Sequence, residues 1–331
     1  MFDLLIIGAG PAGISAAYEA STCGLDYVVI EKGLIGNTIY HYPVGLTVFS
    51  TTHELEFSEG DLNPAREKPT REELLSYYVR FVLDNKLNVQ TEETVLTVEK
   101  SDNGFSVVTD RGTYESASVL FAIGSMDHPR RLNVKGEDLS KVHLLFRETY
   151  PWVKKRALII GGGNSAGEAA LFLAQEGAET TLAIFRDDWE NNDPKQGCIK
   201  YWVKQPLEAE LQQHCLNLFF LGKVIEIRES EVELESEAGE RVILPNDVVF
   251  VLIGSDADLT MLKGLGVETT HSKYGEVPVY DDQSFETNVP GVFVAGHFTN
   301  HRHIKGAIDA PKTLIPLLSR RLRPEKLKAR S

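Results

Sequence analysis

Hydrophobic positions come in short unbroken runs along this chain, and most of the runs stop at a glycine. LLIIG at residues 4–8 and ALIIG at 157–161 are the sharpest; YVVI at 27–30, SVLFAIG at 118–124, DVVFVLIG at 247–254 and GVFVAG at 291–296 have the same form. A short continuous apolar run bounded by a turn signal reads as a strand buried on both faces, the kind found in parallel sheets. Between these runs the period changes. In TREELLSYYVRFVLDNK, residues 70–86, the apolar side chains Leu74, Leu75, Tyr78, Phe81 and Val82 recur at helical spacing. Thr70 with Glu73 supplies a capping box at its start. Two stretches, 89–116 and 223–252, alternate apolar and polar residues around turn signals such as DNG and DRG, and predict β-hairpins.

Two of the apolar runs open on the same device. After the first come Gly8, Gly10 and Gly13; after the second, Gly161, Gly163 and Ala166. In a strand–turn–helix unit the first of these positions allows the tight turn. The second lets backbone approach a pyrophosphate, and the third lets helix and strand pack closely, which alanine also permits. The helix that follows points its free N–H groups at the phosphates. In the first unit the next strand ends at Glu31, 23 residues after Gly8, where a carboxylate accepts from a ribose hydroxyl. In the second it ends at Arg186, 25 residues after Gly161, and a guanidinium there suits a 2′-phosphate. Asp187 and Asp188 follow at once. They leave two other readings open, in which Arg186 pairs with them or they bind the ribose of NAD. Two turns with different ribose readers imply two dinucleotides, FAD held in place and NADPH, preferred over NADH, as the donor.

The expected fold is therefore α/β, with two Rossmann-like, three-layer ββα domains. Because GVFVAG lies near the C-terminus, the chain returns to its first domain after building the second. The FAD domain is expected to comprise residues 1–125 and 251–331, and the inserted NAD(P) domain 126–250. Around the first turn the candidate cofactor contacts are Gly8, Gly10, Pro11, Ala12, Gly13, Glu31 and Lys32. Val95, Ala122, Gly124, Gly296 and His297 add to them from farther along. At the second turn they are Gly161, Gly163, Asn164, Ser165, Ala166, Arg186 and Gly254.

Composition narrows the partners. With 34 basic against 48 acidic residues the formal net charge is −14, which disfavours nucleic acid. The basic C-terminal stretch SRRLRPEKLKARS reads as a solvated tail. No apolar run approaches the length of a membrane span, and the first strand begins too early to leave room for a signal peptide. The three cysteines are too few for a disulfide framework. A cytoplasmic protein is expected.

The stretches IEKGLIGNTIYHYPVGLTVFST (30–51), YESASVLFAIG (114–124), GGGNSA (161–166) and CIKYW (198–202) go further. By these the chain resembles the thioredoxin-reductase-like two-dinucleotide flavoproteins, and within them the bacillithiol-disulfide-reductase type. The resemblance implies that Thr38, Ile39 and Ser50 lie along FAD, that Lys200 lies near NADP, and that the protein is a homodimer. It also places the segment GHFTNHRHIKGAIDAPK against the flavin. His303 or Lys305 would then supply positive charge near flavin N1, and a histidine there would donate a proton. No carboxylate or cysteine joins these histidines closely, so no metal site is expected.

The departures are equally specific. There is no Cys-x-x-Cys pair. The cysteine that the bacillithiol-reductase type carries one residue before the third glycine is Ala12 here, and the aspartate after the late Ala-Gly is His297. Of the remaining cysteines, Cys23 sits at the far end of the first helix and Cys215 reads as core filler. Cys198, beside Lys195 and Lys200, is the candidate redox thiol.

The function expected is an NAD(P)H-dependent FAD oxidoreductase passing hydride to flavin N5 and on to a small-molecule or small redox-protein acceptor. A low-molecular-weight thiol disulfide is the acceptor that the resemblance suggests. A flavin-dependent monooxygenase and a ferredoxin–NADP reductase share the architecture. A non-catalytic redox sensor is the reading outside enzymes.

Overall fold

A computed structural model of the protein describes residues 1–191, 193, 199–272 and 275–323. The chain forms two compact units, one of Met1–His128 with Asp256 onward, the other of Pro129–Ser255. The crossings fall a few residues beyond the expected 125 and 250. Val248–Val251 is one strand of the second unit, with Val251 in register with Ile160, so a boundary at 250 would cut a ladder.

The first unit is built on a five-stranded parallel sheet. Its order is Val292–Val294, Val119–Phe121, Leu4–Ile7, Tyr27–Ile30 and Val89–Gln90. The unbroken apolar runs are explained by burial on both faces, since Leu4, Leu5 and Ile6 have no exposed surface. One face carries the helices Pro11–Thr22 and Ile304–Leu322, which pack on each other. Ser15 Oγ ties them by donating to the Ile308 carbonyl at 2.6 Å. Val95–Ser101, Gly104–Thr109 and Thr113–Ser116 form an antiparallel three-stranded sheet, turning at DNG and DRG.

The helix Arg71–Asp84 starts as its sequence predicts. The Thr70 hydroxyl accepts from Glu73 N at 3.2 Å, and Thr70 N donates to Glu73 Oε2 at 2.8 Å. Its inner face puts Tyr78 fully inside, the phenol donating to the Leu55 carbonyl at 3.2 Å. Replacing Thr70 by alanine removes one reciprocal cap. We expect a loss of about 1 kcal/mol, read as a lowered urea midpoint with an unchanged slope.

The second unit has a seven-stranded mixed sheet. Arg156–Ile160 is flanked in parallel by Glu179–Ile184 and Val248–Val251. Leu216–Ile227 begins parallel to Glu179–Ile184 and runs on to pair antiparallel with Glu231–Ser236, which pairs in turn with Arg241–Pro245. Among the described residues no helix is long and apolar enough to cross a membrane.

Candidate functional site

In the first unit the strand Leu4–Ile7 ends in a turn that leaves no room behind it and open space in front. A Cβ on Gly13 would lie 1.8 Å from the Gly8 carbonyl oxygen, whereas a Cβ on Gly10 would meet no atom within 4 Å. The turn thus locks helix to strand on one side and bares backbone on the other. That bare side faces a cavity of about 350 Å³, large enough to hold much of an extended ligand, and Gly8, Gly10, Pro11 and Ala12 line it.

Glu31 lines the same cavity and is 7% exposed. Its carboxylate accepts from Ala9 N and from Gly33 N, each at 2.7 Å. Burial raises its pKa against the pull of those two bonds. Each oxygen keeps acceptor capacity for a ribose diol. Lys32 stands at the rim, 2.8 Å from Asp127. Thr38 and Ile39, on the short helix Asn37–Tyr40, add to the wall, as does Val95.

The far wall comes from two strand ends. Ala122 and Gly124 follow Val119–Phe121, and Gly296 and His297 follow Val292–Val294. His297 Nδ1 lies 2.6 Å from Ser125 Oγ. Burial, helped by Arg302 and His303, lowers the His297 pKa to about 4. The imidazole is therefore neutral at physiological pH and offers a hydrogen-bonding atom, not a charge. His303 reaches the cavity as the residue that opens the helix Ile304–Leu322.

Three expected contacts are not on this wall. Gly13 is behind the turn, packed against Gly8. Ser50 is half-buried elsewhere in the unit. Lys305, outside the cavity wall, pairs with Asp309 at 2.8 Å, one turn along its own helix. The sequence reading missed Ser125, Asp127, Asp256 and Asp258, which also line the cavity. They sit just past the two small-residue turns, Ile123-Gly124 and Ile253-Gly254, and that position was the available signal.

The second glycine turn repeats the first in the other unit. A Cβ on Gly163 would meet nothing within 4 Å, and Ala166 lies fully buried beneath the turn. Asn164 Oδ1 accepts from Lys200 N at 2.7 Å and so fixes the start of the helix Tyr201–Gln212. Ser165 is exposed at the head of Asn164–Gln175. Gly254 follows Val248–Val251, and its carbonyl accepts from Arg130 N at 2.9 Å.

Arg186 opens the short helix Arg186–Glu190. Its Nε donates to Glu237 at 2.6 Å, Nη1 to Glu190 at 3.3 Å, and its guanidinium lies 3.8 Å over the Phe220 ring. Two residues into that helix, the half-buried Asp188 folds back on the glycine turn. A Cβ on Gly162 would fall 2.2 Å from Asp188 Oδ2. Deeper in the same unit Glu168 is 7% exposed, with Oε1 unpartnered among the described residues, and burial raises its pKa to about 8.

Cys198 and Lys195 lie outside the described residues. Cys23 closes the first helix, half-buried, its thiol pKa raised by burial and by Glu19. Cys215 is not core filler: it is exposed, just after the left-handed His214 and before the strand Leu216–Ile227. Among the described residues no group of three or more His, Cys, Asp or Glu is placed to hold a metal ion.

The sequence profile of the pyridine nucleotide-disulphide oxidoreductases matches residues 5–296. A bacilliredoxin reductase of Bacillus subtilis is 36% identical over 293 residues, 88% of each chain. A solved bacillithiol disulfide reductase of Staphylococcus aureus is similar with a TM-score of 0.89 and 32% identity, covering 96% of this chain and 97% of that one. A ferredoxin–NADP reductase of Ignicoccus hospitalis is 29% identical over 306 residues, 90% of each chain.

Proposed function

The chain belongs to the pyridine nucleotide-disulphide oxidoreductase family, and from that premise we propose that it carries electrons from a reduced nicotinamide dinucleotide, through FAD in the first unit, to a low-molecular-weight disulfide. Membership makes it an oxidoreductase and implies a flavin and a nicotinamide nucleotide; the fold matches the thioredoxin-reductase-like two-dinucleotide flavoproteins. The observation that carries the proposal is the convergence on one cavity of Gly10, Glu31, Gly124 and Gly296, four positions spread over the sequence.

In this reading the bare backbone at Gly10 and the first N–H groups of the helix Pro11–Thr22 receive a pyrophosphate. Glu31 receives the adenosine ribose. His297, neutral and oriented by Ser125, takes the place of the expected aspartate and offers a ring nitrogen to a polyol. The chemistry that a bound flavin supplies is two-electron transfer, hydride in from the nicotinamide and two electrons out to the acceptor. In the balanced reaction NAD(P)H and a proton are consumed and NAD(P)⁺ leaves. The acceptor's sulfur–sulfur bond is cleaved to two thiols.

The name of the Staphylococcus relative, a bacillithiol disulfide reductase, supports a disulfide acceptor, and that of the Bacillus relative, a bacilliredoxin reductase, a small redox protein. Ala12 means that the first turn presents no thiol, so the disulfide is met there without a cysteine relay. The same resemblance extends the proposal to a homodimer working in the cytoplasm.

Anaerobic addition of NADH or NADPH to the purified yellow protein is expected to bleach the visible flavin band near one equivalent. Bacillithiol disulfide is then expected to restore it. A band that does not bleach with either nucleotide refutes the donor site. A reduced protein reoxidised by ferredoxin and not by disulfides refutes the acceptor.

A further inference from the structure

We propose that Asp188 is the residue that reads the adenosine ribose at the second glycine turn, and that this chain takes NADH in preference to NADPH. The inference rests on the reading of the second unit as the nicotinamide site, and it reverses the preference that Arg186 suggests in the sequence.

The two glycine turns of the chain can be compared directly. In the first, Glu31 hydrogen-bonds Ala9 N, the central residue of Gly8-Ala9-Gly10. In the second, the Asp188 carboxylate rests on Gly162, the central residue of Gly161-Gly162-Gly163, closely enough that any side chain there would collide with Oδ2. Each carboxylate thus lies against the middle residue of its glycine turn, Glu31 through the backbone N–H and Asp188 on the side where a Cβ would project. An acid beside such a turn accepts from a ribose 2′-hydroxyl. Glu31 reaches it from the strand end, and Asp188 from the short helix further on.

Arg186 is differently disposed. Its guanidinium is held by Glu237 and Glu190 and stacked on Phe220. With two carboxylates already paired to it, it is a poor receiver for a phosphate dianion. A 2′-phosphate on a nucleotide seated at the turn would also meet the Asp188 carboxylate, and like charges at close range disfavour binding. A 2′-hydroxyl instead donates to that carboxylate. One residue thus supplies both the attraction for NADH and the repulsion of NADPH.

The test is calorimetric titration of the flavin-loaded protein with NAD⁺ and NADP⁺, paired with the concentration dependence of anaerobic flavin bleaching by NADH and NADPH. The wild-type protein is expected to favour the unphosphorylated nucleotide by about tenfold or more in both measurements. Asp188→Ser, which removes the charge and keeps a small polar group, is expected to weaken NAD⁺ and strengthen NADP⁺, so that the ratio collapses or inverts. A wild-type preference for the phosphorylated nucleotide overturns the inference and leaves the proposed function standing. So does a serine variant in which both nucleotides weaken equally. If neither nucleotide binds and neither bleaches the flavin, the nicotinamide reading of the second unit falls, and the inference falls with it.

Discussion

Replacing Gly13 by alanine is expected to yield no folded, flavin-loading protein. The second turn carries Ala166 at the matching position, but the first turn is tighter there. The added Cβ would stand 1.8 Å from the Gly8 carbonyl oxygen and 2.9 Å from its carbon. Both are backbone atoms of the turn, so no rotamer change relieves the overlap. The helix Pro11–Thr22 would have to move off the sheet. It is packed there against Ile304–Leu322 and tied to it by Ser15, so the movement opens the core of the unit. Losses of this kind run above about 4 kcal/mol, a large part of a typical domain's stability. The control is Gly10→Ala. Gly10 has an extended backbone, φ −78° and ψ −173°, that any residue adopts, and its Cβ would meet no atom within 4 Å. Stripped of flavin, that variant is expected to match the wild type within about 0.5 kcal/mol in thermal or urea unfolding. Its flavin content per chain is expected to fall steeply, because the methyl projects where a pyrophosphate must approach. The two glycines are three residues apart and fail in opposite ways. A folded, yellow Gly13→Ala protein contradicts the packing argument. A Gly10→Ala protein with full flavin content contradicts the placement of the pyrophosphate.

That contrast also marks what the sequence can carry. Gly13, Gly10 and Glu31 were readable because the turn, the helix start and the following strand are neighbours along the chain, and their spacing encodes their geometry. The Thr70–Glu73 box was readable for the same reason. What was not readable depends on side chains meeting across the fold. His297 is a bare departure from a pattern until Ser125, on another strand end, lies 2.6 Å from it. The pairing of Lys305 with Asp309 is likewise set by helical geometry. At the second turn a strand-end rule selects Arg186. The chain instead turns into a short helix there, which swings Arg186 towards Glu237 and brings Asp188 over Gly162. Cys215 precedes an apolar strand, but the left-handed His214 before it turns the chain at the surface.

Stability is expected to fall between pH 6.5 and 8, and Glu168→Gln is expected to abolish that fall. Glu168 is buried and its pKa is raised from an ordinary 4.5 to about 8. Below pH 4.5 it is protonated in both the folded and unfolded chain and contributes no slope. Between 4.5 and about 8 the folded chain keeps a proton that the unfolded chain has released, so each unit of pH destabilises the fold. His297 acts in the other direction. Its pKa is lowered from 6.5 to about 4, so between those values the unfolded chain holds the extra proton and stability rises with pH. From 4.5 to 6.5 the two slopes oppose each other. Above about 7.5 His297 is neutral in both states, and the Glu168 contribution from pH 6.5 to 8 amounts to about 2 kcal/mol. Urea midpoints of the wild-type and Glu168→Gln proteins at pH 6.5 and 8 isolate the effect, since every other titrating group is common to both. The wild-type midpoint should drop across the interval and that of the glutamine variant should hold. Parallel drops in both proteins would assign the loss to another group and show Glu168 already ionised in the fold at pH 6.5.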